Sequence, residues 1–379
     1  WGERTVTWVL GAAFQHDAYR NASVTGFDYS WDVPAAFAQL DVDPAAWLSA
    51  SASARVDAHS EFGSFVNPRL SLLLRRPDAG ALARWTARLS AGTGAFAPTP
   101  FTEETEATGL APVVLPEGGL AAFAAERARS ASLDVGGPLE TALGRLELNA
   151  TAFGSRIAHA LQVRDATGAT PEGAARITLA NAPAPTRTWG GELLLRLVRE
   201  LGGEGTEAHG ADDEAAEGDG AEHETEPPTL RVTGSYTFLR ARECDPDVAG
   251  VDVACARREV PLTPRHALGV VASIERHERS RVGLEVYYTG RQSLADNPYR
   301  TVSRPYVIVG LLGERAFATR IGVARAFLNL ENLTDVRQTR WDPLLRPGRG
   351  AGGRWTTDAW TDLQGFTVNG GVRLALAGG

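Results

Sequence analysis

Only one pair of residues in this chain suggests a covalent bond by type and spacing alone. Cys244 and Cys255 are the sole cysteines, and the ten residues between them carry acids, Gly and Pro. That suits a loop-closing disulfide in an oxidising compartment; a zinc site would need further ligands nearby, and none are there. The seven histidines offer little more. His59 and His266 sit at the ends of strand-like segments, and His159 lies just past one. His209 and His223 lie in the run 203–228, among Glu204, Glu207, Asp212, Asp213, Glu214, Glu217, Asp219, Glu222, Glu224 and Glu226. Imidazole and carboxylate could chelate a divalent ion. The run has almost no apolar residue on which to fold, however, and reads as a disordered acidic insertion rather than a metal site. Asp57, His59 and Ser60 make no triad, because adjacent strand positions point to opposite sides. Gly348 to Gly353 lacks the strand-to-helix setting of a phosphate loop. Asn21, Asn149 and Asn332 head N-x-S/T triplets, but Asn149 falls mid-strand and the triplets read as coincidence. No enzyme, metal or cofactor is expected from these residues.

The elements that carry them are set by strict alternation. From Leu48, one face reads Leu48, Ala50, Ala52, Ala54, Val56, Ala58, and the other Ser49, Ser51, Ser53, Arg55, Asp57, His59. The same period recurs from Leu230, from Val282 (Val282, Leu284, Val286, Tyr288) and from Phe366 (Phe366, Val368, Val372, Leu374, Leu376). Period two means β-strand with unlike faces, so the chain is all-β. A soluble sandwich would bury the apolar face. The alternating segments run to about 10–14 residues, longer than soluble strands and matched to a tilted membrane crossing. Their apolar face is often only Ala, Val and Leu in single file, which suits lipid better than an interlocking core.

Connections alternate in length. Short links are expected at Asp43-Pro44, Arg76-Pro77-Asp78, Gly136-Gly137-Pro138, Glu278-Arg279 and Gly313-Glu314-Arg315, and long ones over 95–126, 155–187, 241–264 and 332–363. Short turns on one rim and long loops on the other mark an antiparallel transmembrane up-and-down β-barrel with a polar interior. Trp8, Trp47, Trp85, Trp189, Tyr236, Phe238 and Tyr288 fall where aromatic girdles sit. About fourteen strands are expected, beginning near Thr5, Val33, Trp47, Ser64, Arg84, Ser130, Leu143, Thr188, Leu230, His266, Arg281, Tyr306, Arg320 and Phe366. An even count puts the acidic run on the short-turn rim.

Of 379 residues, 43% are apolar and 22% charged, which excludes wholesale disorder. All 38 basic residues are Arg, and the net charge of −8 comes from the acidic run, without whose ten acids the chain is nearly neutral. No clustered basic surface stands out in the sequence, so no nucleic-acid partner is expected. The chain lacks Met and opens on Trp1 in strand-like sequence, as a piece of a longer protein would.

Ordered blocks carry a resemblance. FVNPRLSLLLRR from Phe65, LSAGTGAFAPTPFTEE from Leu89, LTPRHALGV from Leu262, EVYYTGRQ from Glu285, LENLTDVRQT from Leu330 and GFTVNGGVRLAL from Gly365 resemble, in order, the barrel of TonB-dependent outer-membrane receptors. The resemblance implies a 22-stranded barrel around an N-terminal plug, of which residues 1–379 are about fourteen strands and the plug is missing. It implies a bacterial outer-membrane location, lipid around the wall, and uptake of a scarce bulky solute, most often a ferric siderophore, energised by the TonB complex through the plug. The acidic run lies outside the family pattern. So does the ending Leu376-Ala377-Gly378-Gly379, where relatives commonly finish on an aromatic residue.

A ferric siderophore is often anionic and partly aromatic, so Arg and aromatic residues at the loop end of the lumen are its implied contacts. They are Phe96, Phe101, Arg156, Arg291, Tyr299, Arg300, Arg340, Trp341, Trp355 and Trp360. For each, the plainer reading is an aromatic that packs a loop, or a lumen arginine paired to an acid such as Glu285. The alternative function is a passive pore or adhesin with a complete fourteen-stranded barrel, which expects Thr5–Gln15 to pair with Phe366–Leu376.

Overall fold

The computed structural model describes residues 5–76, 80, 82–102, 105, 109–169, 175–202, 227–246, 248, 255–276, 279–350 and 353–376. Alternation resolves into long strands: β1 (Val6–Tyr19), β2 (Tyr29–Ala45), β3 (Leu48–His59), β4 (Gly63–Arg75), β5 (Thr86–Phe96), β6 (Val113–Val114), β7 (Glu126–Thr141), β8 (Gly144–Ala158) and β9 (Leu161–Ala169). There follow β10 (Ala175–Asn181), β11 (Thr186–Glu200), β12 (Thr229–Cys244), β13 (Arg257–Glu259), β14 (His266–Arg276), β15 (Ser280–Thr289), β16 (Tyr306–Thr319), β17 (Gly322–Glu331) and β18 (Thr367–Leu376). Fourteen of them form one antiparallel meander in chain order, with β13 added beside β12; β6, β10 and β9 form a small separate sheet. The expected count and most expected starts agree with this.

Register makes the two faces explicit. One row across ten successive strands, from β3 to β16, reads Leu48, Leu74, Ala87, Val135, Ala150, Leu193, Tyr236, Leu268, Tyr288, Val307. A row of the opposite face, from β2 to β7, reads Asp41, Ser51, Ser71, Ser90, Ser132. Charges on that polar face pair within it: Arg55 with Asp57 at 2.7 Å, Arg145 and Arg196 with Glu147 at 3.6 and 3.8 Å, and Arg325 with Glu314 at 3.4 Å.

Among the described residues the apolar face is bare: Val66 is 58% exposed, Leu89 51% and Val282 62%. Leu374 is 46% exposed and Val372 72%; Ala50 and Val286 are half-buried. The chain exposes 24336 Å², against about 14,500 Å² for a compact soluble protein of its 40.3 kDa. A soluble sandwich is therefore not what this sequence builds.

Six long connections lie on one rim, 20–28, 97–125, 159–185, 245–265, 290–305 and 332–366, in that order, while 201–228 joins β11 to β12 at the other. The first and fifth of these were not among the expected long links. The opposite rim carries tight hairpins, two with the same chemistry. Thr141 Oγ1 accepts from Leu143 N (3.2 Å) and donates to Gly144 O (2.8 Å), and Thr319 does the same with Ile321 N (3.4 Å) and Gly322 O (2.7 Å). Gly144 (φ 122°) and Gly322 (φ 143°) supply the positive φ that closes such turns.

Three expected turns are corrected. Asp43-Pro44, Gly136-Gly137-Pro138 and Gly313-Glu314-Arg315 run inside β2, β7 and β16, and the chain reverses at 46–47, 142–143 and 320–321 instead. At Gly137 the reason is close packing rather than turning. A Cβ there would lie 2.5 Å from the Trp85 ring, whose Nε1 donates to Pro138 O at 3.0 Å. The acidic run joins β11 to β12 on the tight-hairpin rim, but its residues 203–226, with His209 and His223, lie outside the described residues. The sheet stays open. β1 pairs with β2 and β18 with β17, and Thr5–Gln15 makes no ladder with Phe366–Leu376.

Candidate ligand-facing rim

The long-loop rim holds two folded clusters, and each exists because loops supply the apolar residues that the strands spend on the outer face. In the first, Phe27, Leu110, Val113, Leu120, Phe123, Ile177 and Leu179 close around Trp31, joining loops 20–28, 97–125 and 159–185. Rings continue from it along β2–β4: Tyr29 stacks on Trp31 with centroids 3.9 Å apart, and Trp31 meets His59 at 5.2 Å. His59 is buried, and its Nδ1 accepts from the backbone N–H of Glu61 (3.1 Å) and Phe62 (3.3 Å). The ring thereby fixes the β3–β4 corner, a structural duty rather than a catalytic one.

The second cluster ties loop 290–305 to loop 332–366. Gln338 is fully buried and donates through Nε2 to Thr357 Oγ1 (3.2 Å) and Asp358 O (3.0 Å), while its Oε1 accepts from Trp360 N (2.9 Å). Gln292 Nε2 donates to Trp360 O at 2.8 Å. Trp341 stacks on Trp360 (5.4 Å, 21°), and Arg300 donates to buried Asp342 at 2.5 Å while lying 5.6 Å from the Trp360 ring. Asn332, at φ 51°, turns the chain into this loop. Its Nδ2 donates to Val336 O (2.7 Å) and Gln364 O (3.2 Å), and its Oδ1 accepts from Val336 N (2.9 Å).

The expected contact residues divide accordingly. Trp360 is buried, and Arg300 and Trp341 are packed into the second cluster. Tyr299 donates its hydroxyl to Leu345 O across the two loops but stays 37% exposed. Arg340 is exposed and bonds Asp335 O at 3.1 Å. Phe96, Phe101, Arg291 and Trp355 are exposed; Phe101 meets Tyr19 edge-on at 4.9 Å, and Arg349 lies 4.9 Å from the Trp355 ring. Arg156 departs from its expected place. Its register partners Arg129 and Arg187, and its alternation with Ala150 and Ala152, put it on the apolar face rather than in the lumen. Cys244 and Cys255 are joined by a disulfide, with Cα atoms 5.5 Å apart, at the start of loop 245–265. Beside it, the Glu259 carboxylate bonds Arg265 and, by hydrogen bond and charge, raises that guanidinium above its ordinary pKa.

Sequence reading missed Gln292, Gln338, Asn332 and Asp342 as loop organisers, because single polar residues in a loop give no periodic signal. It also missed a recess of about 470 Å³ on the polar face of β15–β18, lined by Glu285, Tyr287, Asn329, Glu331, Asp362 and Gln364. Its carboxylates and amides suit a donor-rich group, and none of the ten expected contacts lines it. Among the described residues, no group of three or more His, Cys, Asp or Glu is placed to hold a metal ion.

An open, single-layer meander with an apolar outer face, a polar inner face and all its folded loops on one rim defines a membrane β-barrel wall of the receptor type. Residues 2–333 match the profile of the TonB dependent receptor-like β-barrel family, and the chain belongs to that family. Among solved structures it is similar to the ferric enterobactin receptor of Pseudomonas aeruginosa, at 14% identity over 97% of this chain and 50% of that one, with a TM-score of 0.62. It is similar to the FrpB iron transporter of Neisseria meningitidis (12%, 98% and 52%, TM-score 0.58) and to the siderophore receptor PirA of Pseudomonas aeruginosa (13%, 89% and 51%, TM-score 0.56). The chain thus spans about half the length of the receptors it matches. A comparison with curated proteins found no match.

Proposed function

We propose that this chain is part of the wall of a bacterial outer-membrane receptor that takes up a ferric siderophore, driven by the TonB complex acting on a plug domain encoded outside these residues. Residues 1–379 would then supply fourteen strands of a 22-stranded barrel, with 203–228 a solvated insertion on the periplasmic rim. The observation that carries this reading is the uninterrupted apolar row from Leu48 to Val307. Such a surface is stable against hydrocarbon and costly in water. The siderophore assignment draws on the family and on the solutes named for its structural neighbours, one of which holds enterobactin.

The wall performs no covalent chemistry in this account. Between its two edge strands it satisfies the backbone groups within lipid through the ladder, and its exposed rim residues (Phe96, Phe101, Arg291, Tyr299, Arg340 and Trp355) meet the solute. A passive fourteen-stranded pore needs β1 on β18, and the open sheet does not favour it. The test is growth and radio-iron uptake under iron limitation, with and without the full-length gene, fed defined siderophores. Gene-dependent uptake of one siderophore supports the proposal; unchanged growth and uptake with every siderophore supplied would count against it.

A further inference from the structure

The apolar face ends, toward the loop rim, in arginine. A single register row crosses β7, β8, β11 and β12 as Arg129, Arg156, Arg187 and Arg242. Each lies six residues toward the loops from the apolar row Val135, Ala150, Leu193, Tyr236 on the same strand and the same face, about 15 Å higher for strands tilted as in barrels. Trp189 and Phe238 lie between the two rows on the same face, with rings 5.3 Å apart. Arg127 and Arg240 flank the arginine row.

Neighbouring strands are about 4.8 Å apart, so four guanidinium stems stand side by side within about 15 Å, a placement that is destabilising unless anions intervene. Among the described residues the protein's own acids do not intervene. On the polar face Arg55, Arg145, Arg196 and Arg325 have carboxylate partners; none of these six does among the described residues. At their height Glu243 is held by Arg258, Glu259 by Arg265, and Glu126 accepts from Leu161 N at 2.7 Å. Arg127 spends its charge on the Phe65 ring, 4.3 Å away, and on a weak bond to Ser64 O. Arg240 Nε is buried without a partner. Arg187, Trp189, Arg240 and Arg242 line a recess of about 420 Å³, and Arg127, Arg129 and Arg156 a smaller one.

We propose that this arginine row binds the phosphate-bearing headgroups of lipids in the outer leaflet. The inference rests on the outer-membrane reading above. An apolar band continuous with a bare cationic row, with Trp at the junction, matches an amphiphile whose chains lie along the band and whose phosphates meet the guanidinium forks. A soluble anion would have no use for that continuity.

The full-length receptor in uncharged detergent would be titrated with mixed micelles of a bisphosphorylated glycolipid, of phosphatidylglycerol or of phosphatidylcholine, and separately with inorganic phosphate. Anionic lipid should be retained over phosphatidylcholine, and the triple variant Arg129→Gln/Arg156→Gln/Arg187→Gln should weaken retention about tenfold or more. The polar-face variant Arg145→Gln/Arg196→Gln should leave it unchanged, and circular dichroism with Arg156→Gln alone guards against misfolding. Equal retention of all lipids, an unaffected triple variant, or inorganic phosphate competing as well as lipid overturns the proposal. A protein that needs no detergent would instead overturn the membrane reading, so the two failures are separable.

Discussion

Single residues at the rim act mainly by fixing loops. Trp360 is 2% exposed and touched by Trp341, Arg300 and the Gln338–Gln292 pair, so Trp360→Ala should cost about 3–5 kcal/mol locally. Limited proteolysis of loops 290–305 and 332–366 reads this out, with faster cleavage expected in both. Asn332→Ala removes one donor and one acceptor that serve buried backbone groups, at about 1–3 kcal/mol each, and forces a non-native side chain into φ 51°. Hydrogen exchange at Val336 should accelerate. Reducing the Cys244–Cys255 bond, or Cys244→Ser, releases a short loop at a cost of up to about 3 kcal/mol, and should lower the melting temperature without altering strand content. Ligand binding through Trp355 or Phe101 predicts a different pattern, loss of uptake with no change in melting.

At the scale of elements, alternation did the decisive physical work. Ala52 lies between Leu40 and Leu70 on the apolar face, and Ser53 between Gln39 and Arg69 on the polar one. Ala52→Arg should destabilise the barrel refolded in lipid vesicles by about 2–4 kcal/mol, whereas Ser53→Arg should cost far less; denaturant titration separates them. This is also why the strands were legible in the sequence. A side-chain period of two follows where the two faces of a sheet meet unlike surroundings, as along β3, β15 and β18. The turns were less legible, because Gly and Pro serve two purposes. Gly137 seats an indole inside β7, while the true reversals at 142–143 and 320–321 depend on the modest signature Thr-x-x-Gly. Arg156 shows the same limit in the candidate site. Its type suggested a solute contact, and only the register with Arg129 and Arg187 put it on the outer face.

At the scale of the molecule, fourteen strands make one wall whose stability comes from ladder hydrogen bonds and the surrounding solvent rather than from a central core. The buried apolar residues gather in the loop clusters instead, around Trp31 and Trp360. The edges β1 and β18 carry unpaired backbone groups along one side, which costs several kcal/mol per group in lipid and makes such strands prone to pair elsewhere. The isolated 379-residue chain should therefore aggregate on refolding into vesicles, while the full-length gene product should not; sedimentation after refolding distinguishes them. The central claim is that the small apolar side chains face hydrocarbon and their alternates face water, and spin labels in the full-length receptor in lipid bilayers test it most directly. Labels at Ala52, Leu284 and Leu374 should relax with dissolved oxygen and ignore a water-soluble nickel chelate, and labels at Ser53, Glu285 and Arg373 should do the reverse. Equal response at paired positions, or shielding of the first three from both reagents, would contradict the account.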